Sequence, residues 1–533
     1  MTIHEEAVSG TPKTQDLPGR GGVVPMDSDT ASDKLDARLM RVALVFVVGS
    51  FMSILDSTIV NIAIKDLSRA FNSPLPMIQW VSTGYILAVV AVIPLTGWGC
   101  DRFGTKRLYM GCMVLFLVGS ALCGAAWSAG SLIVFRLLQG LGGGMIVPCG
   151  MTIVTHAAGA KRIGRVMGIV GAPMLMAPIL GPIIGGYFVD YASWRWIFFV
   201  NLPIGAVAVF LAAATLESDA PKPEARLDWM GLVLLSPGLA AFVYGLTQVA
   251  SGAISSTKTT AGVAIGLLFV IGFILHARHR EDSLIDVDLF ARHPIGASSV
   301  TTFLIGSSFF GLWLVLPLYF QIAHGKSASD AGLLVAVQGV GAMITMPISG
   351  RLTDKAGAGK IVLVGLTLSA LGVLGLSQTR SGTPMWQIEI ELFITGLGSG
   401  ASMMPAMSAA LGALRRDEVA RATTGLNVVL RVGGSIGTAL LAVVLTHEIS
   451  RLLGSTGLQA VNLSVVRNML ADGQARTLAA LSQAFGHTFL FSLATLGLAF
   501  IAALFLPRQG FEPADAANPA LISQQPPASN ASS

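Results

Sequence analysis

Two ionisable side chains of opposite charge lie inside long apolar segments of the chain. Asp56 lies in FMSILDSTIVNIAI, and Arg136 begins RLLQGLGGG. At about 1.5 Å per helical residue, both would lie roughly 9 to 12 Å from the same end of their segments. A carboxylate can gain and lose a proton while an arginine keeps its charge, so the pair predicts a proton-exchanging site. An ion pair that only locks two helices together is the alternative.

Three further ionisable residues fall in apolar segments, where such side chains are costly and therefore functional candidates. Glu389 and Glu391 open one segment, and Arg431 lies within NVVLRVGGSIG. Each of the three also has an interpretation without a functional role. The two glutamates would then lie in water at the membrane interface, and Arg431 would extend its guanidinium to the membrane surface.

Two loops combine glycine and aspartate with basic residues. The first, GWGCDRFGTKR, contains Gly97, Asp101, Arg102, Gly104 and Arg107, and the second, GRLTDKAGAGK, contains Asp354. Glycine permits a tight turn after a helix, and aspartate favours the start of the next helix. We predict a charged clip that holds helices together in one conformation and releases them in another. The alternative is a well-capped loop without a gating role.

These loops belong to an internal repeat. Gly97 and Gly350 are 253 positions apart, and Gly104 and Gly357 have the same separation. The segment RLLQGLGGGMIVP also resembles ELFITGLGSGASMMP at nearly the same spacing. Two matches in register predict two similar six-helix halves, an arrangement that places a cavity between them.

A small-residue segment, GAPMLMAPILGPIIGGYF, follows later in the first half. It contains Gly181, Pro182, Gly185 and Gly186. Small residues let helices approach closely, and proline bends a helix, so we predict a kinked packing face. Ordinary helix packing in a membrane would produce the same pattern.

The composition requires a membrane as the setting for these residues. The chain has 533 residues, of which 53% are hydrophobic and only 12% charged, with a net charge of +5 and a mean hydropathy of +0.70. This composition excludes a disordered chain, a nucleic-acid-binding protein and a typical soluble enzyme. Fourteen apolar segments of spanning length recur, and they predict an all-α integral membrane protein.

The segments divide the chain into regions. We predict a disordered cytoplasmic tail, an N-terminal six-helix half, two inserted helices, a C-terminal six-helix half and a second disordered cytoplasmic tail, over residues 1–38, 39–216, 217–285, 286–508 and 509–533. A long external loop would occupy 448–486. Lysine and arginine concentrate on one set of loops, which places both termini in the cytoplasm. The inserted spans carry no ionisable residue in their centres, so we predict that they lie outside the transport pathway.

Several motifs occur in an order typical of one transporter family. They are LDSTIVNIAI, QWVSTGYIL, GWGCDRFGTKR, RLLQGLGGG, PILGPIIGG, WRWIFFVNLPIG, DWMG, LPLYFQ and RVGGSIG. Over about residues 52–506, the chain resembles the fourteen-span drug:proton antiporter branch (EmrB/QacA type) of the major facilitator superfamily. The resemblance implies the major facilitator fold. It also ties Asp56 and Arg136 to proton coupling and gives the first clip loop a gating role.

The resemblance implies a function as well. The chain would be a proton-coupled secondary transporter that exports small amphipathic compounds or drugs across the plasma membrane by alternating access. Its partners would be that substrate, protons and the lipid bilayer, with an accessory efflux protein as a further candidate. The alternatives are an exporter dedicated to one metabolite, lipid or siderophore, and a receptor or scaffold that does not transport. The sequence contains no nucleotide-binding loop, metal-ligand cluster or nucleophile constellation, so we predict neither an enzyme nor a cofactor.

Overall fold

The computed structural model describes residues 36–159, 161–219, 221–250, 257–280, 282–380, 382–415, 418–453 and 474–508. Throughout these ranges the regular elements are helices, and no strand occurs. The two predicted disordered tails fall almost entirely outside the described residues, as does much of the predicted external loop.

The first half of the molecule contains six helical rods and short connecting helices. The elements are α1 (Ala37–Ile59), α2 (Ile64–Ala70), α3 (Leu75–Val92), α4 (Leu95–Phe103), α5 (Thr105–Gly124), α6 (Ala129–Ala158), α7 (Ile163–Tyr191), α8 (Trp196–Phe199) and α9 (Asn201–Thr215). Side-chain caps fix where several of them begin. Asp36 accepts a hydrogen bond from the Leu39 N–H at the start of α1, and Ser128 and Ser131 form a capping box at the start of α6.

An inserted pair of helices and the second half follow. The elements are α10 (Trp229–Ala250), α11 (Thr257–Ala277), α12 (Ile295–Ala323), α13 (Ala328–Ala356), α14 (Ala358–Gln378), α15 (Met385–Leu411), α16 (Val419–Leu453) and α17 (Gln474–Ala503). Helices α10 and α11 pack on each other, and α10 also contacts α3 of the first half and α16 of the second. The two halves meet along α7 and α13 and along α4, α6 and α16.

Fewer than fourteen described helices meet a length and hydropathy criterion for a membrane span. Twelve described helices are long and apolar enough, or thirteen if the bent pair Met77–Val92 and Leu95–Phe103 is one span. The prediction of fourteen is therefore not confirmed. The remaining predicted segment forms α15, a helix of 27 residues that does not meet the same apolar criterion. Its glutamates, glycines and serines lower its hydropathy, while its neighbours α13 and α14 cover much of its surface.

The internal repeat is visible in the backbone. Gly104 separates α4 from α5 with φ 83° and ψ 146°, and Gly357 separates α13 from α14 with φ 86° and ψ 144°. A positive φ of this size favours glycine. The halves differ ten residues earlier, because the chain bends by 58° near Pro94, whereas Pro347 lies inside a continuous helix. We call the end of the bundle that carries these two turns the gate end.

Both ends of the described chain lie at the gate end. Asp36 lies 3.6 Å from Arg162, which directly precedes α7. At the other terminus, the Pro507 carbonyl accepts a hydrogen bond from the N–H of Gly359 at 2.8 Å. At the opposite end of the bundle, α16 and α17 extend into the predicted external loop. Only residues 454–473 therefore separate the two helices, and these lie outside the described residues.

Candidate functional site

The structure brings the two predicted charged residues of the first half into direct contact. The Nη1 atom of Arg136 lies 2.6 Å from Oδ2 of Asp56, and both side chains are 0% exposed. Asp56 is supplied by α1 and Arg136 by α6. Burying an ion pair is costly, and further hydrogen bonds to the two groups offset part of that cost. The neighbours of the pair therefore determine its chemistry.

Two buried amides complete the coordination of the carboxylate. Nε2 of Gln139 and Nδ2 of Asn201 donate hydrogen bonds to Oδ1 of Asp56 at 3.0 and 2.8 Å. Oε1 of Gln139 also accepts a hydrogen bond from Arg136 at 2.8 Å, and Asn201 also donates to Ser120 Oγ at 3.0 Å. Asp56 thus accepts hydrogen bonds from three side chains. We call Asp56, Arg136, Gln139 and Asn201 the carboxylate cluster.

The guanidinium of Arg136 is held by aromatic rings and by backbone. Its central carbon lies 4.0 Å from the ring centroid of Tyr85 and 5.7 Å from that of Phe198. Its Nε donates a hydrogen bond to the Val81 carbonyl at 3.2 Å. These contacts fix the cation in a desolvated position, where cation–π attraction is stronger than at a surface.

Sequence reasoning missed the two amides of this environment and did not connect Tyr85, a candidate pocket residue, with the charged pair. Gln139 lies three residues after Arg136, so both project from the same face of α6. Asn201 begins α9 within the NLPIG sequence, and Tyr85 lies in QWVSTGYIL. Each lies in a motif that had been noticed, but only the charged residues had been considered as candidates for proton exchange. A buried charge needs several hydrogen-bonding partners, and this requirement could have directed attention to the nearby amides.

The cluster has two unused hydrogen-bonding atoms. Nη2 of Arg136 and Oδ1 of Asn201 are buried and have no partner among the described residues. One is a donor and the other an acceptor, so the cluster has spare hydrogen-bonding capacity of both kinds. A proton that reaches Asp56 would weaken its hold on Arg136, because the carboxyl would lose its negative charge.

The small-residue segment of α7 packs next to this cluster. A Cβ at Gly181 would lie 2.2 Å from Thr58 Oγ1, and one at Gly185 would lie 2.9 Å from Ile59 Cγ1. Both neighbours lie within three residues of Asp56 on α1. Gly186 behaves differently, because a Cβ there meets no atom within 4 Å. Pro182 lies within the same continuous helix, and its side chain is outside the described residues.

The first clip loop bridges the two halves at the gate end. Asp101 pairs with Lys222 at 3.2 Å, in the segment that leads to α10, and its other oxygen lies 3.9 Å from Nε of Arg421 at the start of α16. A Cβ at Gly97 would lie 3.3 Å from Cα of Arg421, so glycine permits this close approach. Two residues after Arg421 on α16, Thr423 shares a hydrogen bond with Thr152 of α6 at 2.8 Å.

The two arginines of the first clip loop point elsewhere. Arg102 and Arg107 line a cavity of about 530 Å³, together with Pro221 and Pro223 of the segment before α10. Neither forms an ion pair with Asp101 in the described part of the chain. The predicted loop motif is therefore divided between a contact with the second half and a basic cavity beside the inserted helices.

The second clip loop reaches in the opposite direction. The carboxylate oxygens of Asp354 accept hydrogen bonds from the backbone N–H groups of Gly164 and Arg165, both at 3.0 Å. Those groups open α7, which belongs to the first half. A carboxylate at a helix N-terminus is favoured by unpaired N–H groups and by the helix dipole.

The remaining candidates do not join the carboxylate cluster. Glu391 is buried at 9% exposure and accepts a hydrogen bond from Gln387 at 3.0 Å, so it does not lie in water as one alternative held. Glu389 is half-buried. Arg431 is exposed and lines a cavity of about 220 Å³ between α3, α10, α12 and α16.

Metal binding has no obvious site in the described ranges. No group of three or more histidine, cysteine, aspartate or glutamate side chains there is arranged to hold an ion. The four cysteines are buried free thiols. The chemistry of the site therefore rests on the carboxylate cluster and on the two clips.

Comparisons with known proteins agree with this architecture. Residues 46–231 and 298–518 match the family model of the Major Facilitator Superfamily. Over 494 residues the chain is 39% identical to a "Multidrug resistance protein B homolog" of Mycobacterium tuberculosis (strain ATCC 25618 / H37Rv), with 90% of this chain and 92% of the relative covered. It is 28% identical over 500 residues to "Multidrug resistance protein 3" of Bacillus subtilis (strain 168), with 90% and 97% covered.

Two solved structures have the same fold. The human organic anion transporter MFSD10 is similar with a TM-score of 0.57 at 15% identity, over 86% of this chain and 99% of that one. The proton:xylose symporter XylE is similar with a TM-score of 0.54 at 13% identity, over 86% and 94%. At these identities the likeness is one of fold.

Proposed function

The chain belongs to the Major Facilitator Superfamily, and from that membership we propose that it is a proton-coupled exporter of small amphipathic compounds. The observation that carries the proposal is the carboxylate cluster, a titratable group buried between helices of one half and held by a fixed cation. Intramembrane ionisable residues of this kind mark proton relays in transporters. The names of the multidrug-resistance relatives support a drug-like substrate.

The geometry suggests how proton and substrate movements are linked. With the gate end closed, ionised Asp56 holds Arg136, Gln139 and Asn201 together. When the bundle opens at its other end, a proton can reach Asp56 and neutralise it. The cation of Arg136 then loses its partner, and the change in charge favours a different arrangement of the helices around α1 and α6. Opening at the gate end would return the proton to the opposite side of the membrane.

The clips supply the second part of the proposed cycle. Asp101 and Asp354 each bind the opposite half at the gate end, so both contacts must break before that end can open. The excess of lysine and arginine on these loops supports a cytoplasmic gate end in the plasma membrane. The described structure would then correspond to the conformation in which the cytoplasmic path is closed.

Transport by reconstituted protein tests the proposal. Purified full-length chain in proteoliposomes should move a fluorescent drug when a pH gradient is imposed, and Asp56→Asn should abolish gradient-driven transport. Asp330→Asn is the matched control, because Asp330 is an exposed carboxylate on α13. Normal gradient-driven transport by Asp56→Asn, at equal incorporation, would contradict the proposal.

A further inference from the structure

Arg431 is a cation at membrane depth with no hydrogen-bond or ion-pair partner among the described residues. It lies ten residues after Arg421 on α16, which is about 15 Å further from the gate end. An arginine in such surroundings is costly unless a negative charge compensates it. The described protein side chains do not supply that charge, so a ligand is the natural source.

The cavity around Arg431 combines apolar side chains with hydroxyl groups. Ile86, Leu246 and Phe310 supply apolar wall, while Thr247 and Ser435 supply hydroxyl groups. The volume of about 220 Å³ is below the range of about 300–1,000 Å³ that is usual for whole drug-sized ligands. It can accept one ring or a short chain that carries a charged group. The rest of a larger molecule would extend beyond the cavity.

One wall of this cavity comes from the inserted helices. Leu246 and Thr247 belong to α10, which packs between α3 and α16. The ring of Tyr244, also on α10, stacks on Trp80 of α3 with centroids 5.8 Å apart. The sequence had predicted that both inserted helices lie outside the pathway. In the structure the two inserted helices differ in this respect. Helix α10 lines the cavity, whereas none of the residues that line the cavity comes from α11.

Two consecutive residues of α3 connect the cavity with the carboxylate cluster. Ile86 lines the cavity, and the preceding residue, Tyr85, places its ring against Arg136. A ligand that displaces α3 at Ile86 therefore acts on a residue that holds the cation of the cluster. This adjacency gives binding in the cavity a direct route to the proton site.

We propose that the Arg431 cavity binds the anionic group of an amphipathic ligand and that α10 forms the wall which admits it. The proposal deepens the proposed function, since it names anionic amphiphiles as a substrate class, but the binding site stands or falls separately from proton coupling. A sulfonate or carboxylate on an aromatic body has the required chemistry, because guanidinium groups bind such anions through two parallel hydrogen bonds.

Two probes that differ by one charge test the proposal. Anilinonaphthalene sulfonate is anionic, and phenylnaphthylamine has the same rings without the sulfonate. Fluorescence titration of full-length protein in zwitterionic nanodiscs, corrected with empty nanodiscs, gives an affinity for each probe. Arg431→Ala should weaken sulfonate binding about tenfold or more and phenylnaphthylamine binding less than about twofold, while Arg431→Lys, which keeps the charge but not the two parallel hydrogen bonds, should fall between Arg431→Ala and the wild type.

A second pair of variants tests the role of α10. Leu246→Trp should fill the cavity and weaken sulfonate binding. Leu268 lies on α11 and is 67% exposed, so Leu268→Trp should leave sulfonate binding unchanged. Unchanged sulfonate binding in Arg431→Ala, or equal loss of both probes, would overturn the proposal. Wild-type protein that binds the sulfonate but moves no drug under a pH gradient would separate a failure of proton coupling from a failure of this cavity.

Discussion

Asp354 caps a helix of the other half, because one of its carboxylate oxygens accepts a hydrogen bond from the N–H of Gly164, 190 positions earlier, at 3.0 Å. Its repeat counterpart, Asp101, instead forms ion pairs with Lys222 and Arg421. The two loops share a backbone turn and differ in the bonds that they make. One clip is a helix cap and the other is an electrostatic contact, so they should respond differently to mutation.

Loss of the Asp354 cap should favour opening at the gate end. Removal of an N-terminal cap by alanine costs about 1 kcal/mol, which corresponds to roughly a fivefold shift between conformations. We expect Asp354→Ala to raise the labelling rate of a cysteine placed at Thr423 by about that factor. The measurement uses a water-soluble thiol reagent and a background in which the four native cysteines are replaced.

The control for this labelling experiment is Asp330→Ala. Asp330 lies on the same helix at the opposite end of the bundle, and its side chain is exposed. It should leave the labelling rate at Thr423 unchanged. If Asp354→Ala and Asp330→Ala label equally, the hydrogen bonds from α7 do not hold the gate end closed.

The ion-pair clip should control turnover more than binding. Asp101 is partly exposed, and its partner Lys222 is 60% exposed, so the pair contributes at most about 1 kcal/mol to stability. We expect Asp101→Asn to lower the transport rate several-fold and to change substrate affinity less than twofold. Lys222→Gln, which removes only the contact with the segment before α10, should have the smaller effect on rate. A large loss of equilibrium binding with normal turnover would assign Asp101 to the binding site instead.

Much of this architecture could be predicted from local patterns. The apolar segments and the repeat of 253 positions predicted two similar helical halves, and the turns at Gly104 and Gly357 have nearly identical dihedral angles. The count of spanning helices could not be predicted as well. Segment hydropathy does not report how much of α15 is covered by neighbouring helices, nor that the helix breaks near Pro94 but continues through Pro347.

The site was harder to predict from the sequence than the fold. The depths of Asp56 and Arg136 along their segments placed them at one level, and the structure pairs them at 2.6 Å. Which uncharged side chains surround them depends on the rotation of α6 and α9, and a single sequence does not show that rotation. The roles of the Gln139 and Asn201 amides could therefore be identified only from the structure. The same holds for Arg431, whose surroundings come from four separate helices.

The glycines of α7 offer a matched test of packing next to the cluster. Gly181→Ala would place a Cβ against Thr58 Oγ1, so the hydroxyl must leave its hydrogen bond with Leu55 or α7 must move away from α1, at a cost of about 1–3 kcal/mol. Gly186→Ala meets open space and should gain about 0.5–1 kcal/mol from helix propensity. Thermal unfolding in detergent should show a lower midpoint for the first variant and an unchanged or higher one for the second. Equal midpoints would remove Gly181 from the α1 contact.

Gln139 should be needed for transport although it carries no charge. Its amide bridges both members of the ion pair, since it donates to Asp56 at 3.0 Å and accepts from Arg136 at 2.8 Å. Gln139→Leu keeps a side chain of similar size but removes both bonds and leaves two buried charged groups each short of a partner, at about 1–3 kcal/mol apiece. We expect gradient-driven drug transport to fall at least tenfold at equal incorporation. Cys123→Ala, which removes only a weak thiol contact with the same amide at 3.5 Å, should transport normally. Wild-type rates in Gln139→Leu would show that the ion pair works without this bridge.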